Sequence, residues 1–333
     1  MPRWAPCHPT RSSLPSSVTM NMTRRDWMKL GLGATALATL PRGFAQAAAA
    51  PAAAGSALPL ITKAIPGTGE QIPVVGIGTR TYESLTDGIR EVITGLPAAG
   101  CRMIDTADNY ARGASEDVIG QVIESAGLRD RVFLATKVNA RGKDAGRANI
   151  EASFKKLRTD KVDLYYVHNL VDTDTQLATL KELKQAGRVR YIGISISSDN
   201  QYPELERYMR NEPLDFIQID YAIDNRGVED RVLPTAIERK IAVVTNLPFG
   251  RASLFRRVGD RALPDWAAEF DCKSWGQFFL KYNVSHPAIT VAIPGTTQPR
   301  NLVDNVQGAR GRLPDAATRT RMEQFIAAIP APA

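Results

Sequence analysis

The sequence predicts a (β/α)8 barrel, and three observations carry that reading. From Leu60 onward, short β-branched or apolar runs alternate with segments of helical period, eight runs in all. Such alternation means parallel strands joined by crossover helices. The runs are near-continuous apolar stretches, as strands buried on both faces must be. No G-x-G-x-x-G with an acidic residue about 20 positions on marks an open dinucleotide-binding sheet, and eight units over about 270 residues suit a closed barrel.

Ahead of the first run, residues 61–73 place two apolar arms around Pro66-Gly67, which predicts a hairpin closing the N-terminal end of the barrel. The strands fall at Val74–Gly78, Arg102–Ala107, Val132–Val138, Val162–Asn169, Tyr191–Ser195, Phe216–Tyr221, Ile241–Leu247 and Ala288–Ile293. Helical-period segments between them include Ser115–Ala126, Ala148–Leu157, Thr175–Ala186, Val228–Arg239 and Lys273–Tyr282. The loops Leu170–Thr175 and Arg251–Pro264, after the fourth and seventh strands, are expected to wall a cavity at the barrel mouth. In the second loop, Leu254, Phe255 and Arg256-Arg257 form either an apolar wall with a cationic edge or a solvated surface.

The formal charge is +7, yet residues 1–47 hold six basic residues against Asp26 alone. The remainder carries 36 basic and 34 acidic side chains, which excludes nucleic acid as a partner of the body. Arg24-Arg25, the weakly apolar run Leu30–Leu40 and Ala45-Gln46-Ala47 form the three parts of a secretory signal. The adjacent arginines, with Trp27 and Lys29 after them, resemble a twin-arginine signal, which exports folded proteins. The expected organisation is a signal over 1–47, a flexible Ala/Pro tether over 48–57 and the barrel over 58–333. Met20 or Met22 is an alternative start. The expected location is periplasmic, with the twin-arginine export machinery as a partner. No stretch reaches the roughly 18 apolar residues of a membrane span, so stable membrane insertion is not expected. Cleavage would remove Cys7 and His8, leaving Cys101 and Cys272 as small core residues or as a pair in an oxidising compartment. No Cys/His spacing suggests a metal site.

In such a barrel the reacting groups stand at the C-terminal ends of strands. The second strand contains Asp105, with Tyr110 in the loop after it; the third ends in Lys137 and the fourth reaches His168. The fifth ends in Ser195 and the sixth contains Gln218. A buried charge needs a partner, and Asp105 and Lys137 on adjacent strands satisfy each other. Singly, each residue reads as a structural ion pair or a capped strand end. Four of them on three consecutive strands read as a site for proton transfer. A tyrosine hydroxyl, with a reference pKa of about 10, becomes a usable acid when an ammonium within about 4–6 Å favours the phenolate. Asp105 would hold Lys137 charged, and a neutral His168 would hydrogen-bond a substrate oxygen. With no covalent nucleophile or metal cluster in the set, electrons must come from a hydride cofactor.

Met103-Ile-Asp-Thr-Ala-Asp-Asn-Tyr110, Ala135-Thr-Lys137-Val, Leu164-Tyr-Tyr-Val-His168-Asn and Gly187-Arg-Val-Arg-Tyr-Ile-Gly-Ile-Ser195 resemble the aldo/keto reductases. Gln218-Ile-Asp-Tyr221 and Ile293-Pro-Gly-Thr-Thr297, with Asp304-Asn305 after it, extend the resemblance over about residues 58–328. It implies an NADPH-dependent carbonyl reductase with the tetrad Asp105, Tyr110, Lys137 and His168, Tyr110 being the proton donor. It also implies that Ser195 and Gln218 bind the nicotinamide amide. Ile196 stands in place of the Asn that usually follows that Ser, and Asn246 where many members stack a Tyr on the nicotinamide. Gly295, Thr296 and Thr297 would form a phosphate site before a helix N-terminus, and Asn305 would contact adenine. Arg300 neighbours Asn301, the position of the family's usual 2′-phosphate clamp.

The expected activity is therefore reduction of a small aldehyde or ketone by a monomer, with NADPH favoured and NADH the open alternative. The competing reading is an exported cofactor-binding or sensory barrel with little turnover, which the missing aromatic at Asn246 and the export signal both favour.

Overall fold

The computed structural model of the chain describes residues 58–330. The expected signal over 1–47 and tether over 48–57, with Cys7 and His8, lie outside the described residues. Two short strands come first, β1 (Thr62–Ala64) and β2 (Gln71–Pro73), paired antiparallel as the expected hairpin. The barrel strands are β3 (Ile77–Gly78), β4 (Met103–Asp105), β5 (Phe133–Val138), β6 (Val162–His168), β7 (Val189–Ser195), β8 (Phe216–Asp220), β9 (Ala242–Asn246) and β10 (Ile289–Ala292). They lie side by side in chain order, all parallel. Parallel bridges Val75↔Ala292 and Gly78↔Gly295 join the first to the last, so the sheet curls into the predicted (β/α)8 barrel.

Helices α1 (Asp87–Ala98), α2 (Ser115–Ser125), α3 (Lys143–Leu157), α4 (Thr173–Gln185), α5 (Tyr202–Asn211) and α6 (Val232–Glu238) cross over between successive strands. Helices α7 (Ser253–Val258) and α8 (Trp275–Ser285) follow β9, and α9 (Pro299–Gln307) and α10 (Ala316–Ala327) follow β10. α1 shows why such a segment folds. Thr86 caps it by accepting from the Ile89 amide at 3.2 Å, and Ile89, Val92, Ile93 and Leu96 fall at helical spacing on its buried face.

Strand alternation sorts the side chains into two cores. Ile104, Leu134, Val167, Ile194, Ile217 and Val243 point outward to the helices. Met103, Phe133, Leu164, Tyr191, Phe216 and Val244 point inward, where Ile65 and Ile72 of the hairpin join them. Burying each such side chain contributes about 1.5–3 kcal/mol. Gly193 sits on the inward register, where a Cβ would fall 2.3 Å from the Phe216 carbonyl oxygen and 2.9 Å from Tyr166 Cδ1; a bare Cα is what admits the Tyr166 ring. The hairpin is latched by Lys63, whose Nζ donates to the carbonyls of His286 at 2.8 Å and Ile289 at 2.6 Å.

Several element boundaries differ from expectation. The run 74–78 is mostly not ladder, because Val75 pairs across the barrel seam with Ala292 and only Ile77–Gly78 remains as strand. Helix α3 begins at Lys143 rather than Ala148. Gly142, at φ 83°, turns the chain, and its amide donates to Asp172 at 2.6 Å, an anchor from 30 residues away. Part of the expected loop Arg251–Pro264 is the helix α7. Cys101 and Cys272 are buried, unpaired thiols. Among the described residues no helix is long and apolar enough to cross a membrane.

Candidate active site

The polar tetrad is the top layer of the inward register. Two-residue steps from Met103 reach Asp105, from Phe133 through Ala135 reach Lys137, and from Leu164 through Tyr166 reach His168. Asp105 pairs in register with Ala135, Lys137 with Tyr166, and His168 with Ser195. Asp105 and Lys137 are fully buried, and Lys137 Nζ donates to Asp105 Oδ1 at 2.6 Å and to the Thr106 carbonyl at 2.7 Å. The second carboxylate oxygen accepts from Gln218 Nε2 at 2.7 Å. Burial works against an ammonium at Lys137, but the Asp105 carboxylate and, after it, the Tyr110 oxygen together outweigh burial and hold the amine above its ordinary range.

Tyr110 opens a tight turn, Tyr110–Gly113, in the loop after β4. Lys137 Nζ lies 4.7 Å from its ring centroid, and the His168 ring meets it edge-on with centroids 6.0 Å apart. All four expected residues thus converge. Burial, then the positive charges of Lys137 and Arg80, push His168 down to about 3, so its imidazole is neutral near pH 7. Its Nδ1 is buried without a hydrogen-bond partner.

Tyr110, His168 and Asp105 line a cavity of about 610 Å³. A second cavity of about 590 Å³ shares Thr81, Leu247, Arg251 and Gly295 with it and extends to Asn301, Asp304 and Asn305 on α9. Together they form one cleft running from the tyrosine to that helix.

The expected cofactor residues divide between this cleft and its supports. Asn246 and Gly295 line the first cavity, and Gly295 and Asn305 the second. Asn246 donates to the Ile196 carbonyl at 3.3 Å, while its Oδ1 has no partner. Ser195 and Gln218 are buried just behind, Ser195 donating to the Val167 carbonyl at 3.5 Å. Thr296 turns inward, its hydroxyl accepting from the Gln298 amide at 3.0 Å. Thr297 lines a shallow recess beside Thr86 and Gly88 at the start of α1, and Arg300 is an exposed residue of α9 that lines neither cavity, although Asn301 does.

The walls differ from those expected. No residue of Leu170–Thr175 lines the first cavity; Asn169, immediately before, does. Leu254 is buried in the core, Phe255 faces the second cavity, and Arg257 donates to the Ile329 carbonyl at 2.9 Å. The cationic edge is instead Arg251, with Arg80 and Arg112 beside the tyrosine, three residues that motif reasoning missed. Their one sequence signal is position: each lies in a loop directly following a strand's C-terminal end. Ala111, Arg112, Asn169, Leu247 and Arg251, all lining this cavity, have φ between 50° and 56°. Left-handed backbone at non-glycine residues is strained and collects at functional sites.

The sequence profile of the Aldo/keto reductase family matches residues 75–320. The Bacillus subtilis aldo-keto reductase YhdN is 35% identical over 199 residues, 54% of this chain and 59% of that protein, so the chain spans less than two thirds of that relative. A Schizosaccharomyces pombe relative, the aldo-keto reductase yakc [NADP(+)], is 25% identical over 300 residues, 75% of this chain and 87% of that protein. The crystal structure of a Klebsiella pneumoniae aldo-keto reductase in complex with NADPH shares the fold, with a TM-score of 0.67 at 24% identity over 82% of this chain and 97% of that one. With the profile covering most of the barrel, the chain belongs to the aldo/keto reductase family of oxidoreductase enzymes.

Proposed function

We propose that the protein reduces an aldehyde or ketone to the alcohol with NADPH. The observation that carries this reading is the setting of the Tyr110 ring, beside an ammonium fixed by Asp105 and a neutral imidazole, at the head of an elongated cleft. The cleft suits a dinucleotide: it joins two cavities through Thr81, Leu247, Arg251 and Gly295, and Asn246 Oδ1 offers an unfilled acceptor to a carboxamide. Ser195, Gln218 and Asn246 would hold the nicotinamide end, Gly295, Thr296 and Thr297 the phosphates, and Asn305 the adenine. NADP in the name of the fission-yeast relative and NADPH in the Klebsiella structure support the choice of nucleotide. When bound, NADPH supplies the hydride.

The chain's own residues handle the proton. His168, neutral, donates a ring N–H to the substrate carbonyl oxygen and orients it beside Tyr110. Tyr110 passes its phenolic proton to that oxygen, and the Lys137 ammonium stabilises the phenolate left behind. Asp105 keeps Lys137 charged throughout.

The test is Tyr110→Phe. Loss of carbonyl-dependent NADPH oxidation by about 10²- to 10⁴-fold, with NADPH binding retained, is expected; undiminished turnover removes Tyr110 as the acid. NADPH binding with negligible turnover of every simple carbonyl by the unaltered protein would favour the sensory reading, for which the absence of an aromatic at Asn246 speaks. NADH in parallel titrations checks the nucleotide. Export by way of residues 1–47 is supported by Arg24-Arg25 and the small-residue site Ala45-Gln46-Ala47. Replacing both arginines by lysine should leave the protein in the cytoplasmic fraction.

A further inference from the structure

The cavity beside Tyr110 is lined by Arg80, Arg112 and Arg251. Elsewhere some arginines are matched with carboxylates, Arg158 with Asp117 and Glu124, Arg190 with Glu70 and Asp163, Arg210 with Glu206 and Glu238. Others among the described residues, such as Arg90, Arg141 and Arg300, are not; what sets three unpaired arginines apart here is that they line one cavity. Among the described residues none of the three cavity arginines has a carboxylate within ion-pair distance, though ion pairs are plentiful on this fold. The cavity does contain Asp105, but its two oxygens are already held by Lys137 and Gln218. The chamber where the substrate must sit therefore presents unmatched positive charge.

The three arginines are not equivalent. Arg251 also lines the second cavity and stands at the junction of the cleft, within reach of a dinucleotide's phosphates. Arg80 and Arg112 border only the chamber of Tyr110 and His168. Arg80 follows β3 by two positions, and its charge helps to depress the His168 imidazole. Arg112 is two residues from Tyr110 and is held at φ 56°, in the strained turn that also sets the tyrosine.

We infer that the preferred substrate is an aldehyde or ketone carrying a carboxylate, which Arg80 and Arg112 grip while its carbonyl oxygen lies against Tyr110 and His168. This rests on the reductase reading above. A planar guanidinium matches a carboxylate with two parallel hydrogen bonds, an arrangement lysine cannot make. The overall change is that of the proposed reaction: hydride from NADPH to the carbonyl carbon and a proton from Tyr110 to the oxygen, with the carboxylate unchanged.

The experiment compares para-carboxybenzaldehyde with its methyl ester, which has nearly the same shape without the charge. The full chain is expected to favour the acid in kcat/KM by about tenfold or more, an advantage that shrinks as salt screens the arginines. Arg80→Gln and Arg112→Gln should each reduce the acid-to-ester ratio about 10-fold, through a rise in KM for the acid. Equal use of acid and ester, or a preference that survives both substitutions, overturns the inference while leaving the reductase reading intact. Loss of turnover with both compounds overturns that reading instead. Binding decides the anion site even then: calorimetry with para-(hydroxymethyl)benzoate should show an affinity that Arg80→Gln weakens, and an affinity equal to that of the methyl ester refutes the site. A phosphate-bearing aldehyde used as efficiently as the acid would also overturn the assignment of a carboxylate.

Discussion

Gln218 on β8 donates to Asp105 on β4 across the full width of the barrel, at 2.7 Å. The carboxylate that orients the amine of Lys137 is thus itself steered from the opposite wall, and Gln218 is a positioning residue as well as a candidate cofactor contact. Gln218→Leu should leave Asp105 Oδ2 buried without a donor and lower the free energy of unfolding by about 1–3 kcal/mol. Urea denaturation measures it, and rescue by Gln218→Asn would show that the amide, rather than the bulk, matters.

The Asp105–Lys137 pair should behave as a unit. Lys137→Met strands a buried carboxylate and is expected to lower stability by about 3–5 kcal/mol. Adding Asp105→Asn should recover most of that stability without restoring carbonyl reduction. Chemical denaturation of the two single variants and the double variant forms the required cycle.

Stability should fall in mild acid. His168 titrates at about 3 and His286 at about 4 in the folded protein, both pushed down chiefly by burial, against an ordinary 6.5. Because the unfolded chain takes up these protons first, the stability the histidines contribute is complete above about pH 6.5 and is lost as pH falls toward their folded values. Each adds a slope of up to about 1.4 kcal/mol per pH unit in that window. His168→Gln should flatten the dependence, as followed by urea midpoints between about pH 7 and pH 4.

Gly193→Ala should destabilise the barrel by about 1–3 kcal/mol, because the clash is with the Phe216 backbone oxygen as well as the Tyr166 ring. Thermal unfolding checks this. Combining Gly193→Ala with Tyr166→Leu should recover only the part due to the ring.

The barrel and the strand-borne members of its tetrad were legible in the sequence because strand–helix alternation is local. A polar residue late in an apolar run marks a strand's C-terminal end, as Asp105, Lys137 and His168 do. In the structure Lys137, His168 and Gln218 share the inward register of Phe133, Leu164 and Phe216, so each strand's own period carries its polar end to the site. What remained hidden depends on distant residues. The start of α3 is set by Asp172, 30 positions away, and the partner of Gln218 lies 113 positions upstream. The cationic chamber was likewise illegible: two of the arginines that line it, Arg112 and Arg251, stand on left-handed backbone, a conformation that sequence preference would reserve for glycine. The hints at Arg256-Arg257 selected the right loop and the wrong residues.

The contorted rim around Tyr110 also sets how this scaffold can be re-engineered. Each left-handed alanine or leucine there stores about 1–2 kcal/mol that glycine would release, so Ala111 and Leu247 offer ready routes to a hardier protein. Taking them would slacken the hoop that aims the tyrosine, and heat tolerance gained at the doorway would be traded against accuracy of delivery.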